Sequence, residues 1–376
     1  PPGQTGKAIA VCFLSPYQMN RLSHELAHNR ALLLAYEDTP LAQEYAAQAL
    51  FGGCAIRGKL PVKLEGSFDE GDGLRTEKCR LGYTLPESVG MDSRVLSKVD
   101  SIIAEGIAHE AFPGCQLVVA RQGEVVWNKA YGYFDYETHA HPVATDDLYD
   151  LASVSKATGT LPAVMKAYDD GRIMLERPMS HYFAPLRNSD KKDITLRQAL
   201  FHETGMRPSL QVSAILIDPQ SFTPPLFNRR KDATYSIPID GCTFGNRNAR
   251  LRSDLLSTRQ SAQYPIQIVH DLYGSASLPD TLIARIIGTK LRPTKRYLYS
   301  CLNFILLKET VESATGIAMD RYLQKHIYGP LGMGTTGYCP ATRFPIERIA
   351  PTENDLFYRH QQLDGYVHDE TAGFFG

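Results

Sequence analysis

The sequence predicts an α+β protein in which a small α/β fragment precedes a larger domain made of an antiparallel sheet and a helical subdomain. Two apolar runs, 7–14 and 31–36, have the length of buried strands and precede a helical pattern. A second helical pattern, after Asp92, leads into two strands joined at Gln122-Gly123, which indicates a β-hairpin. A further helical pattern begins at Ser153. These three observations are the basis of the predicted fold class.

Length and composition limit the classes of function. The 376 residues suggest two or three domains at about 150 residues each. Lys and Arg number 40 and Asp and Glu 41, a net charge of −1, so nothing favours nucleic acid or an anionic membrane as a partner. No apolar run of about 18 residues predicts a membrane-spanning helix. The seven cysteines form no CxxC pair, so we expect buried thiols, no metal and no cofactor.

The first 75 residues are interpreted as part of an α/β unit. Thr39-Pro40 is typical of a helix start, with Thr as N-cap and Pro in the first turn, and the helix should end at Gly52-Gly53. Two strands alone cannot make a stable sheet, so this segment should need further strands or support from the second domain. A Gly- and charge-rich stretch, 66–86, follows. We therefore predict a fragment at 1–75, a linker at 76–86 and a second domain at 87–376.

Ser153 and Lys156 form an SxxK motif at the start of the third helical pattern. Residues three apart lie on one helix face, so the lysine amine can approach the serine hydroxyl. A serine becomes a nucleophile when a base takes its proton, and a lysine can be that base when its pKa falls. The helix N-terminus favours negative charge that develops there. The alternative is an ordinary N-cap serine beside a solvated lysine.

Three other motifs are interpreted as structural. A second SxxK, 189–192, lies in the polar stretch NSDKKD and should be a solvated turn. Gly332-x-Gly334-x-x-Gly337 follows a helix and lacks the βαβ context of a dinucleotide site. His24-Glu25-x-x-His28 has the spacing of a zinc peptidase, but its histidines share a face with polar residues, and we favour a surface helix.

Four separated blocks resemble the serine β-lactamase and penicillin-binding-protein superfamily, most closely its class C and esterase-like members. They read LASVSKATGTLPAVMKAYDDGRI, ITLRQALFHETGM, YSCLNFILLKETVESATG and YLQKHIYGPLGM, in the family's own order. The resemblance covers the chain from about Leu85 to its end. It implies a β-lactamase/DD-peptidase-like fold in which Ser153 is the acylated nucleophile and Lys156 is its base.

Tyr299-Ser300-Cys301 occupies the place of the family's Tyr-x-Asn. The resemblance implies that Tyr299 shares a proton with Lys156 and protonates the leaving group. Cys301 departs from the pattern, and a thiol makes weaker hydrogen bonds than an amide, so recognition of an amide substrate should be weakened. Asn303 should face another side of the helix.

The family's third element, a K-[ST]-G or H-x-G strand, is not found, and the nearest candidate is Thr371-Ala372-Gly373. We expect Gly373 and His368 to line the substrate pocket, and His202 to be structural, near the floor of the site. The expected second domain is incomplete at or near its C-terminal end. Residues 208–290 should form an insertion over the mouth of the active site.

A second resemblance concerns the start of the chain. AYEDTPLAQEYAAQALFGG, followed by GKLPV, resembles the end of the C-terminal α/β domain of family 3 glycoside hydrolases. The pairing of the two resemblances implies β-N-acetylglucosaminidase-linked cell-wall turnover in the bacterial envelope, periplasmic or secreted, with a small-molecule or peptidoglycan-derived substrate. The chain starts at Pro1 without Met, so any export signal should lie upstream. The alternatives are a catalytically weak peptidoglycan-binding module and, less favoured, the zinc peptidase.

Overall fold

A computed structural model describes residues 8–19, 21–22, 26, 28–65 and 67–368, except for the side chains of residues 213 and 214. The chain divides into two compact units, Pro1–Thr145 and Asp146–Gly376, which are described separately. Within the described ranges, no helix is long and apolar enough to cross a bilayer.

The first unit begins with a small parallel pair of strands. Its first elements are β1 (Ile9–Cys12), α1 (Pro16–Met19), β2 (Ala31–Leu34) and α2 (Pro40–Leu50). Both predicted strands are confirmed, and they pair in parallel from Ile9 opposite Ala31. The predicted cap is also confirmed, since the Thr39 hydroxyl accepts the Ala42 N–H at 3.2 Å. Cys12, Met19 and Leu64 form a small buried cluster here.

The predicted hairpin is the centre of a second sheet in this unit. The elements are β3 (Gly82–Tyr83), a 3₁₀ turn (Pro86–Val89), α3 (Ser93–Leu96), α4 (Lys98–Ala108), β4 (Gly114–Arg121) and β5 (Glu124–Gly132). β4 and β5 are antiparallel, and Gln122 and Gly123 between them both have positive φ. β3 pairs in parallel with β5 and lies inside the predicted linker, 76–86. The interval is therefore not only a connection, because two of its residues belong to the sheet.

The boundary between the compact units lies at Thr145, beyond the hairpin. The hairpin and its preceding helices therefore group with the N-terminal residues. The assignment of 1–75 and 87–376 to two separate domains stays a prediction.

The second unit is mainly helical. The nucleophile region has a 3₁₀ turn (Ala152–Val154), a π-helical turn (Lys156–Thr160) and α5 (Leu161–Asp169). The remaining helices are α6 (Leu196–Leu200), α7 (Ser213–Leu216), α8 (Leu278–Gly288), α9 (Cys301–Thr315) and α10 (Met319–Leu323), the last continued by a π-helical turn (Gln324–Tyr328). Short 3₁₀ turns lie at Met179–His181, Ala184–Leu186, Pro340–Thr342 and Ile346–Arg348.

Small sheets complete this unit. The strands are β6 (Phe227–Asn228), β7 (Tyr235–Asp240), β8 (Thr243–Asn246), β9 (Leu256–Ser257), β10 (Ile266–Val269), β11 (Leu272–Gly274), β12 (Asn354–Asp355) and β13 (Gln361–Gln362). The predicted insertion, 208–290, thus contains two three-stranded sheets, in the orders β6-β8-β7 and β10-β11-β9. The core joins α5, α8, α9 and α10 through fully buried side chains such as Val164, Leu282, Leu306 and Leu323.

The second SxxK stretch is not a fully solvated turn, which corrects the expectation from the sequence. Lys191 is fully buried. Its ammonium donates to Asp190 Oδ1 at 2.7 Å, to the Ile287 carbonyl at 2.9 Å and to the Thr289 carbonyl. Because the last carbonyls of a helix have no intrahelical partner, a buried cation satisfies them well. Lys191 therefore fastens this turn to the end of α8.

Candidate active site

Ser153 lies in a tight turn directly before α5. Asp150 Oδ1 accepts the Ala152 N–H at 2.9 Å, two residues along, and so stabilises the turn that leads to Ser153. Ala152 has a positive φ of 44°, a left-handed conformation that is unfavourable for a residue with a Cβ. The chain therefore enters the helix through a locally strained residue, and the next residue is Ser153.

Three chemically active side chains meet at Ser153. The Lys156 Nζ donates to Ser153 Oγ at 3.0 Å, and the Tyr299 hydroxyl donates to the same oxygen at 2.8 Å. Lys156 Nζ also lies 5.2 Å from the centre of the Tyr299 ring. Both hydroxyls can donate and accept, so a proton can pass among the three groups.

The position of Tyr299 is set by its neighbours at the start of α9. Ser300 is fully buried, and its hydroxyl donates to the Arg207 carbonyl at 2.5 Å. The Cys301 N–H donates to the Pro208 carbonyl at 2.8 Å. A residue 146 positions from Ser153 is thereby held against it.

Two tyrosines, Tyr328 and Tyr338, contact the helical turn that carries Lys156. The Tyr328 hydroxyl donates to the Thr158 carbonyl at 3.0 Å. Gly159 is buried, and a Cβ there would lie 2.4 Å from the Tyr338 hydroxyl oxygen. The close approach of Tyr338 therefore requires a glycine in this turn.

The pKa of Lys156 is set by burial and by the two side chains that face its amine. Burial lowers the pKa of its ammonium, but the hydrogen bond to Tyr299 and the charges of Cys301 and Tyr299 outweigh burial, and the pKa lies above the ordinary lysine value. The condition that would let the lysine act as a base at neutral pH, a lowered pKa, is therefore not met in this arrangement. Ser153 is exposed and the Tyr299 side chain is 39% exposed, so solvent reaches the charged groups.

Cys301 is half-buried at the first position of α9, close enough to Lys156 to affect the lysine's pKa. The sequence-predicted residues Ser153, Lys156, Tyr299 and Cys301 are thus brought together. A thiol at this place cannot offer the paired donor and acceptor of an amide.

His202 lies next to Tyr299, buried beneath it, as the sequence suggested. The two ring centres are 4.7 Å apart. Burial, followed by the charge of Lys156, lowers the pKa of the imidazole. Thr204, which the sequence did not point to, is buried beside His202, and its hydroxyl donates to Asn303 Oδ1 at 2.8 Å. Asn303, which was expected on another side of the helix from Cys301, is also fully buried there.

Two further predicted site residues are His368 and Gly373. His368 Nδ1 pairs with Glu353 Oε2 at 2.5 Å, and its carbonyl accepts from Arg359 at 3.2 Å. Gly373 lies outside the described residues, as do His24 and Glu25 of the zinc-peptidase motif. Their predicted roles stay predictions.

Known proteins with similar sequences include two from Salmonella. Each is named "Putative D-alanyl-D-alanine carboxypeptidase", one from Salmonella heidelberg (strain SL476) and one from Salmonella schwarzengrund (strain CVM19633). Each is 27% identical over 313 residues, covering 77% of this chain and 60% of the relative. The chain therefore spans about 60% of the length of these curated relatives.

Two solved structures show a weaker likeness. The octameric penicillin-binding protein homologue from Pyrococcus abyssi has 21% identity and a TM-score of 0.48, with 73% of this chain and 52% of that chain covered. A class C β-lactamase from Rhodobacter sphaeroides has 19% identity and a TM-score of 0.39, with 62% and 48% covered.

The family assignment rests on a family model described as Beta-lactamase, which matches residues 99–350, more than half of the chain. The matched range includes Ser153, Lys156 and Tyr299. The family match and the antiparallel sheets of the structure together confirm the predicted α+β class. The chain belongs to the β-lactamase family of serine hydrolase-like proteins.

Proposed function

We propose that this chain is a serine hydrolase that cleaves an amide or an ester through an acyl-enzyme on Ser153. The observation that supports the proposal is the placement of Lys156 Nζ at 3.0 Å and of the Tyr299 hydroxyl at 2.8 Å from Ser153 Oγ. A nucleophile within hydrogen-bond reach of both a base and a proton donor is the arrangement that acyl transfer needs.

The proposed reaction has two steps. Ser153 Oγ bonds to the substrate carbonyl carbon while its proton passes to the deprotonated amine of Lys156. The bond to the leaving group then breaks, and Tyr299 supplies the leaving group's proton and regains one from Lys156. Water repeats the sequence on the acyl-enzyme and releases the acid. The Ser153 N–H, in the first helical turn, can donate to the oxyanion, and the second donor is proposed to come from the chain near Gly373.

The proposed substrate is linked to the bacterial cell wall. The name of the Salmonella relatives points to peptides that end in D-alanine, and the family includes β-lactam-hydrolysing enzymes. The resemblance of the first 75 residues to a family 3 glycoside hydrolase supports the same setting, in the periplasm or outside the cell. Cys301 argues against strong amide recognition and therefore favours a simple ester over a peptide or β-lactam.

The test is intact-mass analysis after reaction with a fluorophosphonate. Attack by Ser153 Oγ forms a serine–phosphorus bond, and fluoride leaves with the proton. We expect one adduct on the wild-type protein and on Ser189→Ala, the matched change in the second SxxK, and none on Ser153→Ala. Labelling that survives in Ser153→Ala, or no labelling of the wild type, contradicts the proposal.

A second candidate is a peptidoglycan-binding module with little turnover. The replacement of the family's asparagine by Cys301 favours it, because a thiol forms weaker hydrogen bonds than an amide, and loss of one amide hydrogen bond to the substrate slows the reaction by up to about tenfold. Calorimetry with muropeptides, followed by analysis of the recovered ligand, separates the candidates. Intact ligand after saturable binding favours the module, and cleaved ligand favours the enzyme.

A further inference from the structure

We propose that His202, as a neutral imidazole, is the positioning residue that holds Tyr299 against Ser153. The inference deepens the proposed function and rests on it. It starts from the hydrogen bonds around the imidazole, which determine where its proton lies.

A chain of donors fixes the orientation of Asn303. The Met206 N–H donates to Thr204 Oγ1 at 3.1 Å, and the Thr204 hydroxyl donates to Asn303 Oδ1 at 2.8 Å. Because the Asn303 oxygen accepts this bond, its amide nitrogen is the atom that faces His202 Nδ1, at 3.3 Å. Asn303 is fully buried, so this orientation is strongly preferred over the reversed one.

A second donor reaches the same imidazole nitrogen. The Ser300 N–H donates to His202 Nδ1 at 3.1 Å. With the Asn303 amide, two N–H groups converge on Nδ1, which therefore carries a lone pair and no proton. The neutral imidazole must then carry its proton on Nε2.

Hydrogen bonds to His202 hold the chain on both sides of Tyr299. The Leu298 N–H donates to the His202 carbonyl at 3.0 Å, and the Ser300 N–H donates to the His202 ring. The ring itself lies 4.7 Å from the Tyr299 ring, at an angle of 39°. The residue before Tyr299, the residue after it and its own side chain thus all touch His202.

Protonation of His202 would break the two hydrogen bonds that Nδ1 accepts from Ser300 and Asn303, and would leave the bond from Leu298 to the His202 carbonyl. A proton on Nδ1 would turn the acceptor into a donor that faces two donors, and the new charge would lie near the ammonium of Lys156. The titratable groups that face the imidazole are Lys156, Tyr297 and Tyr299, and no carboxylate among the described contacts offsets the charge. Burial and the Lys156 charge lower the pKa of His202, so the neutral form is kept at neutral pH.

Two variants separate hydrogen bonding from packing. His202→Asn places an amide oxygen near the position of Nδ1 and tolerates the backbone φ of 57°, since Asn adopts the left-handed region readily. The His202 ring also lies 5.3 Å from the Phe304 ring, so His202→Phe keeps an aromatic ring against Tyr299 and Phe304 but has no acceptor. A purely packing role predicts that Phe is the better replacement, and the positioning role predicts that Asn is.

The kinetic test is the rate of fluorophosphonate labelling between about pH 5 and pH 8. For the wild type, we expect the logarithm of the labelling rate to rise with pH with a slope of one above the pKa of His202, where only Lys156 must lose a proton. Below that pKa, His202 must lose a proton as well, and the slope should be two. His202→Asn should keep slope one throughout and most of the rate at neutral pH, and His202→Phe should label about 10- to 100-fold more slowly. Equal rates for Phe and wild type, or slope two retained in His202→Asn, would overturn the proposal.

A measurement independent of activity uses ¹⁵N-histidine and ¹³C-tyrosine NMR on the full chain, with His202→Asn and Tyr299→Phe assigning the signals. We expect His202 with a bare Nδ1 at neutral pH, and Tyr299 signals displaced in His202→Phe more than in His202→Asn. An Nδ1-protonated His202, or Tyr299 signals unaffected by the Phe variant, overturns the positioning role. If these NMR results are obtained but the wild type is not labelled by the fluorophosphonate, the proposed hydrolase function is contradicted and the positioning of Tyr299 by His202 is retained.

Discussion

Replacement of Lys156 by arginine tests whether the lysine is the base or only a nearby charge. An ordinary lysine, with a pKa of about 10.4, is neutral in roughly one molecule per thousand at pH 7.4, a cost of about 4 kcal/mol at 1.36 kcal/mol per pH unit. The pKa of Lys156 lies above the ordinary value, so its neutral fraction is smaller still. A rate that depends on neutral Lys156 must therefore rise with pH.

The expected profile follows from the sign of this shift. Below its folded pKa, Lys156 is a cation that donates to Ser153 and cannot take the serine proton. Labelling by a fluorophosphonate should thus increase about tenfold per pH unit between pH 7 and 9. A phenolate at Tyr299 beside a charged lysine would give the same profile, so the wild type alone does not separate the two bases.

Lys156→Arg separates them, because a guanidinium keeps the positive charge and cannot be deprotonated. If Lys156 is the base, the variant should label about 10²–10⁴ times more slowly. Lys166→Arg is the matched control in α5, which directly follows the turn that carries Lys156; Lys166 pairs with Asp170, and this variant should behave as wild type. A Lys156→Arg rate within tenfold of wild type, with the pH dependence kept, refutes the lysine as base and favours the phenolate.

Three further outcomes are expected. Tyr299→Phe should lower kcat/KM for an amide by about 10²–10⁴ and for an activated ester by much less, because a good leaving group needs no proton; equal losses would contradict the role as proton donor. Cys301→Asn should speed acylation by a penicillin up to about tenfold, the value of one amide hydrogen bond, as measured by intact mass over time; no gain would mean that the thiol is not what limits recognition. Lys191→Met should lower the free energy of unfolding by about 2–4 kcal/mol in urea titrations, because two carbonyls at the end of α8 lose their buried donor, whereas Lys192→Met should change it little; equal effects would contradict the tether.

The contact between Ser153 and Lys156 could be predicted from spacing alone, because residues three apart on a helical turn are neighbours. Tyr299 could not be found that way. It lies 146 positions from Ser153, and only the family resemblance pointed to it. Its placement depends on tertiary hydrogen bonds to 202–208, which leave no periodic signal in the sequence.

Two differences between the sequence-based argument and the structure have a common physical origin. Polarity predicted a solvated turn at 189–192, but Lys191 is buried because helix-end carbonyls 96 and 98 residues away need its ammonium. The SxxK motif makes a lysine base conditional on a lowered pKa, but the phenol and thiol that face the amine raise the pKa of Lys156 instead. In each case a distant partner decided the outcome.

The left-handed backbone at Ala152 links rigidity to reactivity at the neighbouring serine. A Cβ in this conformation costs about 1–2 kcal/mol, which the surrounding unit must supply to keep the turn closed. Glycine at this position would remove that cost, and it would also let the backbone and the Ser153 hydroxyl adopt more orientations. We therefore expect Ala152→Gly to raise the melting temperature and to lower the acylation rate. The restricted backbone of Ala152 would then be part of what orients the Ser153 nucleophile.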